Sequence, residues 1–163
     1  NNMDIRTGFG YDIHQLVEKK DSFFLLSQVK IKGDYSIVSH SDGDILLHSL
    51  SNAILSAIGK EDIGYYFPDN SKETENIAST NILSFALQEM RKQGYHLSNV
   101  VVDIFLQKPK LKDYREMIKR NLSEYLSLDI SRIGLSANTG EHVDAIGNSK
   151  AIVVYSQVLI TKE

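Results

Sequence analysis

The chain of 163 residues contains no cysteine. That excludes a disulfide framework and any thiolate metal site, so a metal held here must be bound through His and carboxylate side chains. An excess of positive charge is also missing. The 18 basic and 21 acidic residues are mixed along the chain and leave a net charge of −3, which offers no field for a nucleic-acid backbone. No apolar run reaches the ~18 residues needed to cross a bilayer, the longest strong apolar stretch being Ala151 to Ile160. The expected partners therefore include neither nucleic acid nor membrane. Internal repeats, linkers and low-complexity tracts are absent as well. Asn1-Asn2-Met3 does not read as a native start, no signal-peptide pattern follows it, and removal of an upstream targeting segment is compatible with this.

What is present fits one compact domain over residues 1–163, with 42% hydrophobic content. Ile5 to His14 and Phe23 to Lys32 read as two strands that pair, with Gly33-Asp34 as a turn signal after the second. From Asp44 to Ile58, apolar residues recur at helical spacing through Ile45, Leu46, Leu50, Ile54, Leu55 and Ile58, and Gly59 closes the run. A second helix fits Ile77 to Gln93 and a third Tyr114 to Leu126. Strands fit Val100 to Leu106, Ile133 to Ala137 and Ile152 to Ile160, with Pro109 ending the first of these. Alternating strands and helices favour an α/β (α+β) domain with helices packed on one face of a mixed sheet.

Candidate chemistry begins at Asp12-Ile13-His14. Side chains two apart on a strand share a face, so Asp12 and His14 aim an oxygen and a nitrogen at one point. Alone, such a pair also fits a solvent-facing strand end. In His40-Ser41-Asp42-Gly43-Asp44, Ser41 reads as a helix N-cap and Asp44 as a first-turn carboxylate that complements the macrodipole. His48 follows on the same face, and a lone helical His is more often a satisfied surface or core residue. One Asp and two His nevertheless make three ligands, the number that leaves zinc an open fourth position. Asp62-Ile63-Gly64-Tyr65-Tyr66-Phe67-Pro68-Asp69 reads first as a helix cap with a proline stop. His96 reads as a surface residue, His142 adjoins Glu141, and the basic run Lys108 to Arg120 reads as a solvated face with Lys110 exempted.

Taken together, Gly8-Phe9-Gly10-Tyr11-Asp12-Ile13-His14, His40-Ser41-Asp42-Gly43-Asp44 with Leu47-His48, and Asp62-Ile63-Gly64 with Phe67-Pro68-Asp69 resemble the 2-C-methyl-D-erythritol 2,4-cyclodiphosphate synthase family. The resemblance runs from Arg6 to about Val158 in matching order and spacing. It implies a zinc-dependent phosphorus–oxygen lyase of non-mevalonate isoprenoid synthesis, cyclising 4-diphosphocytidyl-2-C-methyl-D-erythritol 2-phosphate and releasing CMP. Zinc would be bound by Asp12, His14 and His48, and a second metal, Mg2+ or Mn2+, by Glu141. Thr139 and Asp62 would be catalytic. Substrate would meet His40, Ser41, Asp62, Ile63, Gly64 and Asp69 at one end, and Leu106, Pro109, Lys110, Leu111, Thr139 and Glu141 at the other. The family fold assembles as a threefold homotrimer with shared active sites, in a bacterial cytoplasm or a plastid-type organelle. Asn138 and Asn52 depart from the family pattern, and any support Asn52 gives to His48 would come from an amide. Two rival readings are a metal-dependent phosphohydrolase and an inert trimeric binding module.

Overall fold

The computed structural model describes residues 2–163. Strands β1 (Asp4–Leu26) and β2 (Val29–Ile37) are followed by helices α1 (Ile45–Ala57), α2 (Ile63–Tyr66) and α3 (Ser79–Lys92). Strand β3 (His96–Phe105), helix α4 (Arg115–Leu126), strand β4 (Ile133–Asn138), helix α5 (Asp144–Gly147) and strand β5 (Ala151–Lys162) complete the chain. Sheet order is β2-β1-β5-β3-β4, with β3 and β4 parallel and the other pairs antiparallel. This is the expected mixed sheet.

The expected pairing of residues 5–14 with 23–32 is not observed: 5–14 lies in β1 against β5, and 23–32 is itself a hairpin, split between the end of β1 and the start of β2. Asp21-Ser22 is turn-prone and Asp21 takes a positive φ of 52°, but the chain absorbs it as a register shift between Glu18 and Ser22, so β1 runs through, its first half pairing with β5 and its second half with β2. The turn lies at Ser27-Gln28 rather than Gly33-Asp34; both turn residues have positive φ, 50° and 65°, as a two-residue hairpin of type I′ requires. Neither is glycine, and the conformation is held from outside. The buried carboxylate of Asp44 accepts from Ser27 N–H at 3.0 Å and Gln28 N–H at 2.7 Å. Gly33 instead sits within β2, opposite Ser22, where the register shifts.

Asp44 also corrects the expected cap of α1. It is Asp44, not Ser41, that occupies the N-cap, accepting from Leu47 N–H at 3.1 Å. Burial pushes its carboxyl above the usual range against the opposing pull of the donors from Leu47, Gln28 and Ser27.

α1 is buried nearly all round, and it lies directly on the sheet because β1 presents Gly8 and Gly10 to it. A Cβ on Gly8 would stand 2.0 Å from Ala53 O, and one on Gly10 1.9 Å from Ser49 O. With α3 and α4 the helix covers one side of the sheet, burying Val100, Val102 and Ile104 of β3 and Ile152, Val154, Val158 and Ile160 of β5. Each fully buried aliphatic side chain of this kind contributes roughly 1.5–3 kcal/mol. Among the described residues no helix covers the other side. Ile5, Phe9, Tyr11, Ile13, Val101 and Tyr155 are exposed there, with Phe9, Tyr11 and Phe105 grouped around the Tyr155 ring at 5.8, 5.2 and 5.6 Å. Among the described residues no helix is long and apolar enough to cross a membrane.

Candidate active site

The close descent of α1 onto β1 brings His48 to the face that carries Asp12 and His14. His14 Nε2 lies 2.9 Å and His48 Nδ1 3.4 Å from Asp12 Oδ2, and one donor atom from each residue falls within 4.8 Å of the others. Donor atoms sharing a tetrahedral ion at bonds of ~2.0–2.2 Å stand roughly 3.4 Å apart. The group therefore fits a small divalent cation such as zinc, with one position left over.

Neighbouring groups hold the ring nitrogens that point away from the triad. His14 Nδ1–H donates to Val38 O at 3.3 Å, which leaves Nε2 as the ring atom toward Asp12; in the metal-free protein a protonated Nε2 donates to Asp12 Oδ2, and loss of that proton exposes the lone pair a cation would use. His48 Nε2 lies 2.8 Å from Ser79 Oγ and 3.2 Å from Ser41 Oγ. Burial pushes the Asp12 carboxyl up, but hydrogen bonds and charge from His14 and His48 outweigh it and hold it below the ordinary range. For His14 burial acts downward, and the Asp12 carboxylate, with help from Val38 O and Asp69, raises it.

These directions set a pH dependence. A raised His14 contributes stability in full below its ordinary value of 6.5, and loses it as pH climbs through the folded value. A lowered Asp12 contributes above its ordinary 3.8 and loses it as pH drops through the folded value. The metal-free protein thus holds both contributions between about pH 4 and 6.5. A cation needs His14 deprotonated, so the melting-temperature gain on adding zinc is expected to be larger near ~pH 8 than near ~pH 5.5. Differential scanning calorimetry at both values checks this; an equal gain speaks against His14 as a ligand.

The triad opens into a cavity of about 650 Å³ whose walls include His40, Ser41, Asp62, Ile63, Gly64 and Asp69. All six residues expected at the methylerythritol end are therefore together. Asp62 caps α2, its side chain accepting from Tyr65 N–H at 3.1 Å, so the capping reading and the cavity position both hold. Asn52 does not support His48. Its Oδ1 accepts from Ile63 N–H at 2.9 Å and fixes the turn that carries Gly64; the groups behind His48 are Ser79 and Ser41.

A second cavity of about 260 Å³ gathers Leu106, Pro109, Lys110, Leu111 and Thr139. Lys112 and Arg115 line it too, so the basic run is not wholly a solvated face: Arg115 donates to Leu135 O at 2.8 Å and is drawn under the sheet end. Gln107 Oε1 accepts from Gly140 N–H at 3.1 Å and His142 N–H at 3.4 Å, holding the loop beyond Thr139. Glu141 is exposed in that loop at φ 53°, near Thr139 Oγ1 at 3.5 Å. Thr139 and Asp62, the two expected catalytic residues, thus border different cavities. Asp12 pairs with Val154, Val154 with Ile104, and β3 with β4 through Phe105 and Asn138, so the triad and the Thr139 end are separated by three strand spacings, roughly 14 Å. His96 sits apart from both cavities, 3.0 Å from Thr161 Oγ1, and His142 is exposed.

Fold and site together define a class of small two-layer α/β domains with an Asp-His-His group of the metal-binding kind in a cleft beside the sheet. The chain belongs to the YgbB family, whose model matches residues 5–161. It is 39% identical over 161 residues to a 2-C-methyl-D-erythritol 2,4-cyclodiphosphate synthase of Halothermothrix orenii, spanning 98% of this chain and 96% of that one. Among solved structures it resembles the CDP complex of Plasmodium falciparum IspF, with a TM-score of 0.85 and 36% identity over 98% of this chain and 97% of that one. The bifunctional IspDF of Campylobacter jejuni matches at a TM-score of 0.92 and 35% identity; it covers 99% of this chain, which spans only 43% of that protein.

Proposed function

We propose that this protein closes 4-diphosphocytidyl-2-C-methyl-D-erythritol 2-phosphate into 2-C-methyl-D-erythritol 2,4-cyclodiphosphate and releases CMP. The observation that carries the reading is the convergence of Asp12, His14 and His48, in a cleft walled by the expected substrate residues, within a chain of this family. An oxygen of the 2-phosphate attacks the β-phosphorus, the bond from that phosphorus to the α-phosphate oxygen breaks, and CMP leaves with the electron pair. The nucleophile is already anionic, so no general base is needed.

The protein's work is to fold the substrate back on itself. Positioning of this kind is worth ~7–11 kcal/mol in favourable intramolecular reactions. His40, Ser41 and the Asp62-Ile63-Gly64 turn would hold the methylerythritol phosphate. Space beside Gly64 is open, since a Cβ there would touch only Asp62 Oδ1 at 3.5 Å. Lys110 and Thr139 would hold the cytidine diphosphate end, and Glu141 would carry the second cation, Mg2+ or Mn2+. Zinc, when bound to the triad, would polarise the β-phosphate.

A homotrimer with shared active sites accounts for two further observations: the cavities lie roughly 14 Å apart within one chain, and the aromatic sheet face around Tyr155 has no covering layer among the described residues. A neighbouring copy packed on that face would bring its Thr139 cavity toward this triad. Sedimentation or mass measurement on active protein is expected to give three copies; a fully active monomer rules out shared sites.

Incubation with the diphosphocytidyl substrate tests the activity itself. Cyclic diphosphate and CMP should form without free orthophosphate, whereas linear hydrolysis products would point to a phosphohydrolase. Metal analysis of carefully purified protein should return zinc near one per chain, and chelator-insensitive activity would exclude the zinc role.

A further inference from the structure

Helix α3 begins without a cap of its own, because Ala78 at its N-cap makes no side-chain hydrogen bond. A distant residue fills the place. The carboxylate of Asp42 accepts from Ser79 N–H at 3.1 Å and from the Ser79 hydroxyl as well. It also takes Asp44 N–H and Gln28 Nε2–H, both at 3.2 Å, so the start of α3, the approach to α1 and the hairpin tip meet at one carboxylate.

Ser79 is fully buried, and its Oγ is 2.8 Å from His48 Nε2. Counting hydrogens decides the direction of that bond. A serine hydroxyl has one proton, and a carboxylate already ringed by donors can only accept. The Ser79 proton is therefore committed to Asp42, and Ser79 Oγ is left to accept from His48. Nε2 then bears a ring proton, so in the neutral ring Nδ1, the atom 3.4 Å from Asp12 Oδ2, is the nitrogen with the lone pair a cation would use. Ser41 is a weaker second acceptor: it is longer, at 3.2 Å, lies on a loop, and shares its hydroxyl with Ser39 and Gly43.

We propose that Asp42 and Ser79 are positioning residues, a relay that fixes the tautomer and ring orientation of His48 for the metal centre. The inference rests on reading Asp12, His14 and His48 as that centre. Neither residue touches the substrate cavity's reacting atoms in this scheme; both act through His48.

The test uses the full chain with zinc as probe, in wild type, Ser79→Ala and Asp42→Asn. Zinc affinity is read by competition with a chelator, and the His48 tautomer by long-range 15N NMR of the metal-free protein. Wild type should show a protonated Nε2. Ser79→Ala should lose about 10–100-fold in zinc affinity, the usual effect of removing a ligand's hydrogen-bond partner, and should populate both tautomers. Asp42→Asn keeps one acceptor oxygen and should fall at the low end of that range. A purely structural role would lower the metal-free melting temperature while leaving zinc affinity within about twofold and the tautomer unchanged; that result, or a neutral wild-type His48 whose single ring proton sits on Nδ1, overturns the relay. Wild-type protein that takes up no zinc overturns the metal-centre reading and the relay with it.

Discussion

His48→Ala is expected to abolish turnover, while His96→Ala leaves it nearly intact. His48 is one of three side chains whose donor atoms converge, and it is buried, with 6% of its surface exposed. Removing it leaves Asp12 and His14, and two ligands rarely hold zinc. The loss should exceed the ~10–100-fold that follows from losing a partner behind a ligand. It should appear in kcat, since the substrate contacts proposed for His40 and the Asp62 turn remain. Ser79 and Ser41 also lose the ring they contact, so some loss of stability accompanies the loss of activity. His96 differs in every respect: it is exposed, on β3, and its ring pairs with Thr161. Steady-state kinetics and zinc content of both variants decide the matter, and equal activity would refute the ligand assignment.

Gly10→Ala is expected to be among the most damaging single methyl additions in the molecule. The new Cβ would meet Ser49 O at 1.9 Å and Ala53 N at 2.6 Å, and both obstacles are helix backbone that no rotamer change can move. Ordinary overpacking costs ~1–3 kcal/mol. Here α1 must lift off β1, which separates His48 from Asp12 and His14, so the cost should lie above that range and zinc binding should fail together with folding. Gly59→Ala is the control, because nothing lies within 4 Å of its Cβ and only its positive φ of 69° resists; roughly 1–2 kcal/mol is expected there. Thermal melts of the two variants should differ clearly. Equal melting temperatures would mean that α1 does not rest on the glycines of β1.

Much of this was legible in the chain. The apolar periodicities that predict helices at 44–58, 77–93 and 114–126 are observed as α1, α3 and α4 within two residues at each end, because each helix buries a continuous stripe against one sheet. The Asp12 and His14 pair was readable for a similar reason: strand alternation alone puts both on one face. The hairpin was not readable. Ser27-Gln28 has none of the residues that favour positive φ, and its shape depends on a carboxylate sixteen or seventeen residues further on. The same holds for the α1 cap, where Ser41 and Asp44 were both acceptable by residue type and only packing chose between them.

By itself, then, the sequence determined which side chains were available for a metal, by omitting cysteine and supplying Asp12, His14 and His48, and which faces of its helices and strands would be buried. Local periodicity suffices for that. Only the tertiary structure decided that Gly8 and Gly10 let α1 come close enough to complete the triad, that Ser79 rather than Asn52 stands behind His48, and that Thr139 and Asp62 border separate cavities. Those outcomes depend on contacts between residues far apart in the chain, and no spacing within a segment encodes them.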